Sequence, residues 1–347
     1  MKYKLSIIIP FFFKGSADIN SKRYFSLLAF EKCLKAVFRS KYKNFEVIAV
    51  SDGSSTESME IVKKYPCKII KIKKNSGAAF SRNIGAKKSK GEILVFLDSD
   101  VEVKPDAFEV INNHFNKKIN YGMLQGIYSH EPNYESYANE YLQSYYSYYI
   151  FTEVKKNKFI QSLVTNIFAI KKKIFNINKG FDSNFSGAGL EDNEFGFRLQ
   201  KQGYKIPIGR KLKTIHHVNF GIWEFVKKIT KIQTGEMKMH LRNKDTFMLK
   251  SKQSNYWGVI SGLLLISSII CLFGLNIFLK IPFYNYIMLT LNLLFVLIHL
   301  RFLKFIFISK GFLPTLRAVF FTYLHRLVVA NCAIFGLIDF YIFKNKY

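Results

Sequence analysis

The sequence predicts an α/β domain with a mostly parallel sheet over the first two-thirds of the chain, followed by an all-α membrane region. Three observations carry this. Apolar runs of strand length alternate with segments of helical spacing as far as residue 115. Carboxylates stand where two of those strands end, at Asp52 and at the pair Asp98 and Asp100. From Lys252 to Tyr347 the 347-residue chain holds a single acid, Asp339, amid long apolar runs.

The elements follow in order. Residues 5–11 form a continuous apolar run of strand length. A basic start gives the N-terminus a superficial likeness to a signal peptide, but Pro10 interrupts the run and no small-residue cleavage site precedes Lys14. A buried first strand is the better reading. Residues 25–38 have helical spacing, and 45–50 form a second strand that ends at Ser51-Asp52-Gly53-Ser54. A helix is expected near 57–64, a strand at 68–72, a helix after Ser76-Gly77, a strand at 93–97 and a helix over 106–115. Such alternation implies parallel βαβ units with both faces of the sheet covered, and ligands then bind beyond the carboxyl ends of the strands. Residues 133–151 are rich in tyrosine. They read as an amphipathic helix packed on the sheet or, alternatively, placed beside the acceptor or at a membrane interface.

The domains expected are 1–230, catalytic; 231–256, a basic interfacial linker; and 257–347, a membrane region of two to three spans. Residues 257–279 carry no charge and suffice to cross the hydrocarbon core; 281–300 and 318–343 are further candidates. Arg301, Lys304, Lys310 and Arg317 place the connection between the last two on the cytoplasmic side, and 301–321 is expected to include an interfacial helix. His325 and Arg326 fall inside or at the start of the third segment, where they would bind a lipid phosphate or simply mark where the span begins. The formal net charge of +28 suits anionic lipid and an anionic diphosphate; no nucleic-acid partner is expected, because no basic helix or nucleic-acid module stands out. Cys33, Cys67, Cys271 and Cys332 show no paired spacing, which fits a reducing cytoplasm.

Chemistry concentrates in five places. In Gly91–Val101 an apolar strand ends in Asp98-Ser99-Asp100. A divalent cation would compensate two such carboxylates; a solvated turn or helix cap before Pro105 is the plainer alternative. Asp52 stabilises a turn or accepts a hydrogen bond from a nucleobase imide. Gly77 permits close backbone approach, and Arg82 on the following helix could reach a ribose or phosphates. Glu191 and Asp192 open a helix after a glycine-containing loop. One would complement the helix dipole and the other face a pocket as general base. His216 or His217 would give a neutral nitrogen ligand to the metal.

Taken in this order, SIIIPFF, VSDGSS, NSGAAFSRNIGAKKSKGEILVFLDSDV and TNIFAIKKKIFNINKGFDSNFSGAGLEDNEFGFRLQKQGYKI resemble the inverting family 2 glycosyltransferases, over about the first 220 residues. The resemblance implies a GT-A fold, Rossmann-like with a mostly parallel sheet, and a Mn2+ or Mg2+ cofactor. It implies a donor site of Pro10, Asp52, Arg82, Asp98 and Ser99, with Asp52 on the base and Asp98 on the ribose or metal. Asp100 would hold the cation with His216 or His217, Asp192 would be the catalytic base, and Glu191 would support the acceptor. Ser51 stands where many relatives carry a second aspartate, which leaves base selectivity open. The processive Gln-x-x-Arg-Trp pattern is missing, since Thr234-Gly235-Glu236 follows Gln233, so single-sugar transfer is expected. The implied activity moves one sugar from a UDP- or dTDP-linked donor to a hydroxyl of a lipid-linked or membrane-proximal glycan, in polysaccharide biosynthesis. The enzyme would be a multi-pass plasma (inner) membrane protein with a cytoplasmic catalytic domain. Two competing readings are a polyprenyl-phosphate glycosyltransferase and an inactive membrane scaffold or transport protein.

Overall fold

The computed structural model describes residues 4–13, 22–129, 136–160, 162–184, 190–242, 260–265, 267 and 284–344. Eight strands build one sheet: β1 (Leu5–Phe11), β2 (Phe45–Asp52), β3 (Lys68–Ile72), β4 (Ile93–Leu97), β5 (Val101–Val103), β6 (Met123–Tyr128), β7 (Ile167–Lys171) and β8 (Ile208–His216). Their order is β3-β2-β1-β4-β7-β6-β8-β5. Strands β3, β2, β1 and β4 are mutually parallel, with Ile7 opposite both Val47 and Val95.

Period-two alternation decides which helix covers which face. Leu5, Ile7, Ile9, Val47, Ala49 and Val95 pack with Phe30, Leu34 and Val37 of α1 (Lys22–Phe38), Val62 of α2 (Thr56–Lys63) and Phe108 and Ile111 of α4 (Ala107–Phe115). Ile8, Ile48, Val50, Leu94 and Phe96 face the other way. They meet Ala79 and Ala86 of α3 (Ala78–Lys88), Phe175 of α6 (Lys172–Ile177) and Phe195 and Leu199 of α7 (Glu191–Lys201). Burying each of these large side chains contributes roughly 1.5–3 kcal/mol, which makes a one-residue slip of β1 prohibitive.

The expected helices and the first four strands are present, with β2 running on to Asp52. The sheet is nevertheless mixed. Strand β7 is antiparallel to both β4 and β6, and β5 is antiparallel to β8. The sequence showed neither β5 nor β7 clearly. Three residues leave too little periodicity to read, and the apolar run of β7 passes directly into the helical spacing of α6.

Two compact units emerge. One comprises Met1–Glu135 with Tyr149–Asn219, the other Ser136–Tyr148 with Phe220–Tyr347. The first unit ends at Asn219, and α8 (Ile222–Arg242), a continuous amphipathic helix, belongs to the second. The start of α5 (Tyr137–Lys156) belongs to the second unit. There Tyr141 stacks on Phe321 at 5.5 Å and meets Phe302 edge-on at 5.9 Å. Tyr141 therefore packs on helices of its own unit; spacing reveals a sticky face but not its receiver.

The second unit also holds α9 (Tyr284–Lys310) and α10 (Phe312–Tyr341), separated by Gly311, whose φ of +89° turns the chain. Residues 301–321, expected to include an interfacial helix, fall on α9 as far as Lys310 and on α10 from Phe312. Tyr286–Lys310 and Phe312–Tyr341, with mean hydropathies of 2.0 and 1.5, are long and apolar enough to cross a membrane. The earlier candidate, 257–279, lies mostly outside the described residues.

Candidate active site

The carboxyl ends of β2 and β4 and the first turns of α3 and α7 carry the candidate residues. Asp52 ends β2 and is buried. Its Oδ1 accepts the Ser76 N–H and its Oδ2 the Gly77 N–H, both at 2.8 Å. Gly77, with φ of +91°, is the N-cap of α3, a conformation costly for any residue with a Cβ. The carboxylate thus satisfies amides that the helix start leaves unpaired.

One turn further on, the Arg82 side chain is 4% exposed. Its Nη1 donates to Glu191 Oε1 at 2.6 Å and its Nη2 to Asp98 Oδ1 at 2.7 Å, while Nε is buried without a partner. Sequence reading aimed this arginine at the donor; the structure puts its guanidinium between two carboxylates. Glu191 Oε2 also accepts the Leu190 N–H at 3.0 Å, so the first residue of α7 fastens its own helix start to α3.

Asp192 follows and is also buried. Its Oδ2 accepts from Thr165 N at 3.2 Å and Thr165 Oγ1 at 3.4 Å, and its Oδ1 from Asn193 N at 2.7 Å. Burial, then the neighbouring Glu191 carboxylate, pushes Asp192 up from 3.8 to about 7, against the pull of Arg82. Burial likewise raises Asp98 to about 6, with Arg82 opposing. One guanidinium among three carboxylates leaves excess negative charge in a buried place, so the cluster retains a proton more readily than exposed acids do.

Asp100 is more open, with its side chain 42% exposed. Pairing of β5 with β8 sets Val101 opposite His216, which brings His216 Nε2 to 3.3 Å from Asp100 Oδ2. The Asp100 carbonyl accepts the His217 N–H at 2.8 Å, and His217 Nε2 lies 2.9 Å from Glu102 Oε2. The two histidines are therefore in different company. His216 stands beside the aspartate and stacks on Tyr128 at 4.9 Å, whereas His217 is engaged by Glu102. No group of three or more His, Cys, Asp or Glu placed to hold a metal occurs among the described residues. A carboxylate with an imidazole still forms part of a set suited to Mn2+ or Mg2+, with phosphate oxygens and water filling the rest.

Ser99 is partly buried between the two aspartates, and Pro10 pairs with Val50 near the end of β1. Sequence reasoning gave no role to Thr165 and Asn166, which open a family-like stretch, and did not single out Glu102 or Tyr128. Asn166 links two strands' ends: its carbonyl accepts the Asp98 N–H at 3.4 Å and its Nδ2 donates to Thr214 Oγ1 at 3.0 Å. The polar pair Thr165-Asn166 directly before an apolar run was the available signal.

Family models match twice: one described as glycosyl transferase family 2 covers residues 6–176, and one described as glycosyl transferase family group 2 covers 93–336. Among curated proteins, a cholesterol galactosyltransferase of Borreliella burgdorferi is 34% identical over 116 residues, 32% of this chain and 29% of that one. The Escherichia coli protein YibD, an uncharacterised glycosyltransferase, is 30% identical over 112 residues, 31% of this chain and 29% of its own length. The matched stretch is thus under a third of either relative. A mannosyltransferase from Pyrobaculum calidifontis, solved with GDP-mannose and Mn2+, superposes with a TM-score of 0.57 over 98% of this chain and 87% of that one. At 12% identity it shows a shared fold.

Proposed function

We propose, since this chain belongs to the family 2 glycosyltransferases, that it transfers a single sugar from a UDP- or dTDP-linked donor, with inversion, to a hydroxyl of a lipid-linked or membrane-proximal glycan. The observation that carries the reading is Asp192: a buried carboxylate at a helix start, held by Thr165 and Asn193, with its proton affinity raised to about 7. A base of that strength takes a proton from an attacking hydroxyl at neutral pH and still keeps it. The acceptor oxygen then attacks the anomeric carbon opposite the leaving group, the bond to the diphosphate breaks, and configuration inverts.

Asp100 and His216 would hold the cation, which offsets charge on the departing diphosphate. Asp52 reads the nucleobase imide with the lone pairs its two amide contacts leave, and Pro10 and Ser99 complete the donor site. Asp98 meets the ribose or the metal. Arg82, already engaged by Asp98 and Glu191, acts on the donor through Asp98, and Glu191 steadies the acceptor side. The apolar helices anchor the enzyme as a multi-pass protein of the plasma (inner) membrane. The basic turn at Lys310 and the catalytic unit then face the cytoplasm.

Nucleotide release from a panel of nucleotide-sugars, with Mn2+ or Mg2+ and a lipid-linked acceptor, tests the reading. One UDP- or dTDP-sugar should be consumed, metal-dependently, and proton NMR of the product should show the opposite anomer. Retained configuration, or no release with any donor, would overturn it.

A further inference from the structure

Among the described residues of the helical unit, one buried cation meets no carboxylate. Arg326 lies midway along α10 and is 8% exposed. Its Nε donates to His299 Nε2 of α9 at 3.1 Å, its Nη2 to the Tyr145 hydroxyl at 3.3 Å, and its guanidinium sits 5.4 Å from the Tyr145 ring centre. Alongside, His325 Nδ1 and the Tyr141 hydroxyl are 3.1 Å apart. Every one of these partners is a phenol, an imidazole or an aromatic face. None is a carboxylate.

The sequence explains why. From Lys252 onward the single acid is Asp339, which pairs with Lys238 at 2.5 Å. Glu140, the acid at the start of α5, faces Lys310 at 3.6 Å and Arg317 at 3.8 Å. A buried guanidinium held by neutral groups alone is costly, and a cation–π contact offsets only about 0.5–2 kcal/mol of that.

Position along the helices identifies what could complete it. Toward Gly311 the pair α9 and α10 carries Arg301, Lys304, Lys310 and Arg317. Away from Gly311, residues 284–300 and 327–338 contain no Asp, Glu, Lys or Arg. Arg326 is therefore the last charge before the stretch fit for hydrocarbon, and His299 closes the matching stretch on α9. A boundary between a basic and an apolar stretch suits headgroup depth, where phosphates lie and basic side chains are held.

We propose that Arg326 and Tyr145, beside the His299 and His325 imidazoles, bind the phosphoryl group of a phosphate ester, supplied by a lipid headgroup. The shared chemistry is a phosphate dianion or diester. The guanidinium and the Tyr145 phenol donate to its oxygens, and the guanidinium matches it in a planar fork; His299, whose Nε2 accepts from Arg326 and whose Nδ1 donates to the Phe295 carbonyl at 2.9 Å, holds that fork in place. The inference deepens the acceptor half of the proposed function, resting on it only for the lipid's role in transfer.

The test uses the full chain in detergent and follows binding by native mass spectrometry. Farnesyl phosphate should bind at least about tenfold tighter than farnesol, a margin typical of a charge-assisted pair. That comparison needs no variant. Arg326→Gln should erase the preference, Arg326→Lys should keep part of it, and Tyr145→Phe should weaken it about threefold. Inorganic phosphate displacing the lipid at equal concentration would keep the anion site and assign its source to a soluble phosphate. Equal binding of phosphate and alcohol, or a preference that survives Arg326→Gln, would overturn the proposal. UDP titrated with Mn2+ into the unaltered protein reads the donor site separately, so failure there strikes the proposed function and not this site.

Discussion

Each unit buries a guanidinium, Arg82 in the sheet unit and Arg326 in the helical unit, and their surroundings differ in kind. Arg82 is held by two carboxylates with a third nearby, so its charge is overbalanced from within. Arg326 is held by an imidazole, a phenol and a ring. The contrast teaches what to expect of each. A cation overmatched by acids sets up a proton-binding carboxylate, whereas a cation matched by neutral groups awaits an anion from outside. Replacing residues around Arg82 should therefore disturb catalysis and stability together. Around Arg326 the expected effect is on binding alone.

The largest effect expected is at the acid with the highest proton affinity. Asp192→Asn should lower turnover about 10³-fold, the usual worth of a general base, while UDP affinity in Mn2+ changes less than about twofold. The same variant should melt higher at pH 8 than the parent. A carboxylate whose folded affinity for protons is raised from 3.8 to about 7 contributes stability fully present below 3.8 and lost as pH rises to about 7. Turnover that survives would remove Asp192 from the chemistry and favour a lipid phosphate as nucleophile.

Arg82→Gln comes next. It leaves Asp98 and Glu191 without their counter-charge, and thermal or denaturant unfolding should show a loss of about 3–5 kcal/mol. Stability unchanged by this substitution would break the comparison at its first term. Asp100→Ala should weaken Mn2+-dependent UDP binding about tenfold or more, read by calorimetry with and without metal. Smallest is Asp52→Asn, which replaces one acceptor oxygen with an amine facing a backbone N–H and should cost about 1–3 kcal/mol of stability.

How much of this was legible beforehand differs between residues. The strands bearing Asp52 and Asp98 were plain, because a fully buried strand must be a continuous apolar run. Asp192 was legible through its company, a helix start after a glycine-containing loop. The role of Arg82 was not: its place on α3 was clear, but which carboxylates it would meet depends on the approach of α3 to α7, residues 109 apart for the Glu191 bond. The division of labour between His216 and His217 was equally hidden. It follows from the antiparallel register of β5 on β8, which three residues cannot announce. In the helical unit, the scarcity of acids after Lys252 was plain and Arg326 stood out inside an apolar segment, but coordinates were needed to show that it is buried and which groups hold it.

The most direct test of the account is the pH dependence of sugar transfer by the unaltered enzyme. Asp192 is faced by Glu191 on its own helix, Arg82 from α3 and Asp98 beyond β4, and the balance of these charges with burial sets its proton affinity. Turnover should rise with unit slope in log rate up to about pH 6, bend near 7 and level off about one pH unit above it, and Asp192→Asn should flatten that limb. A rate independent of pH over this range, or a limb that persists in the variant, would contradict the assignment of Asp192 as the base.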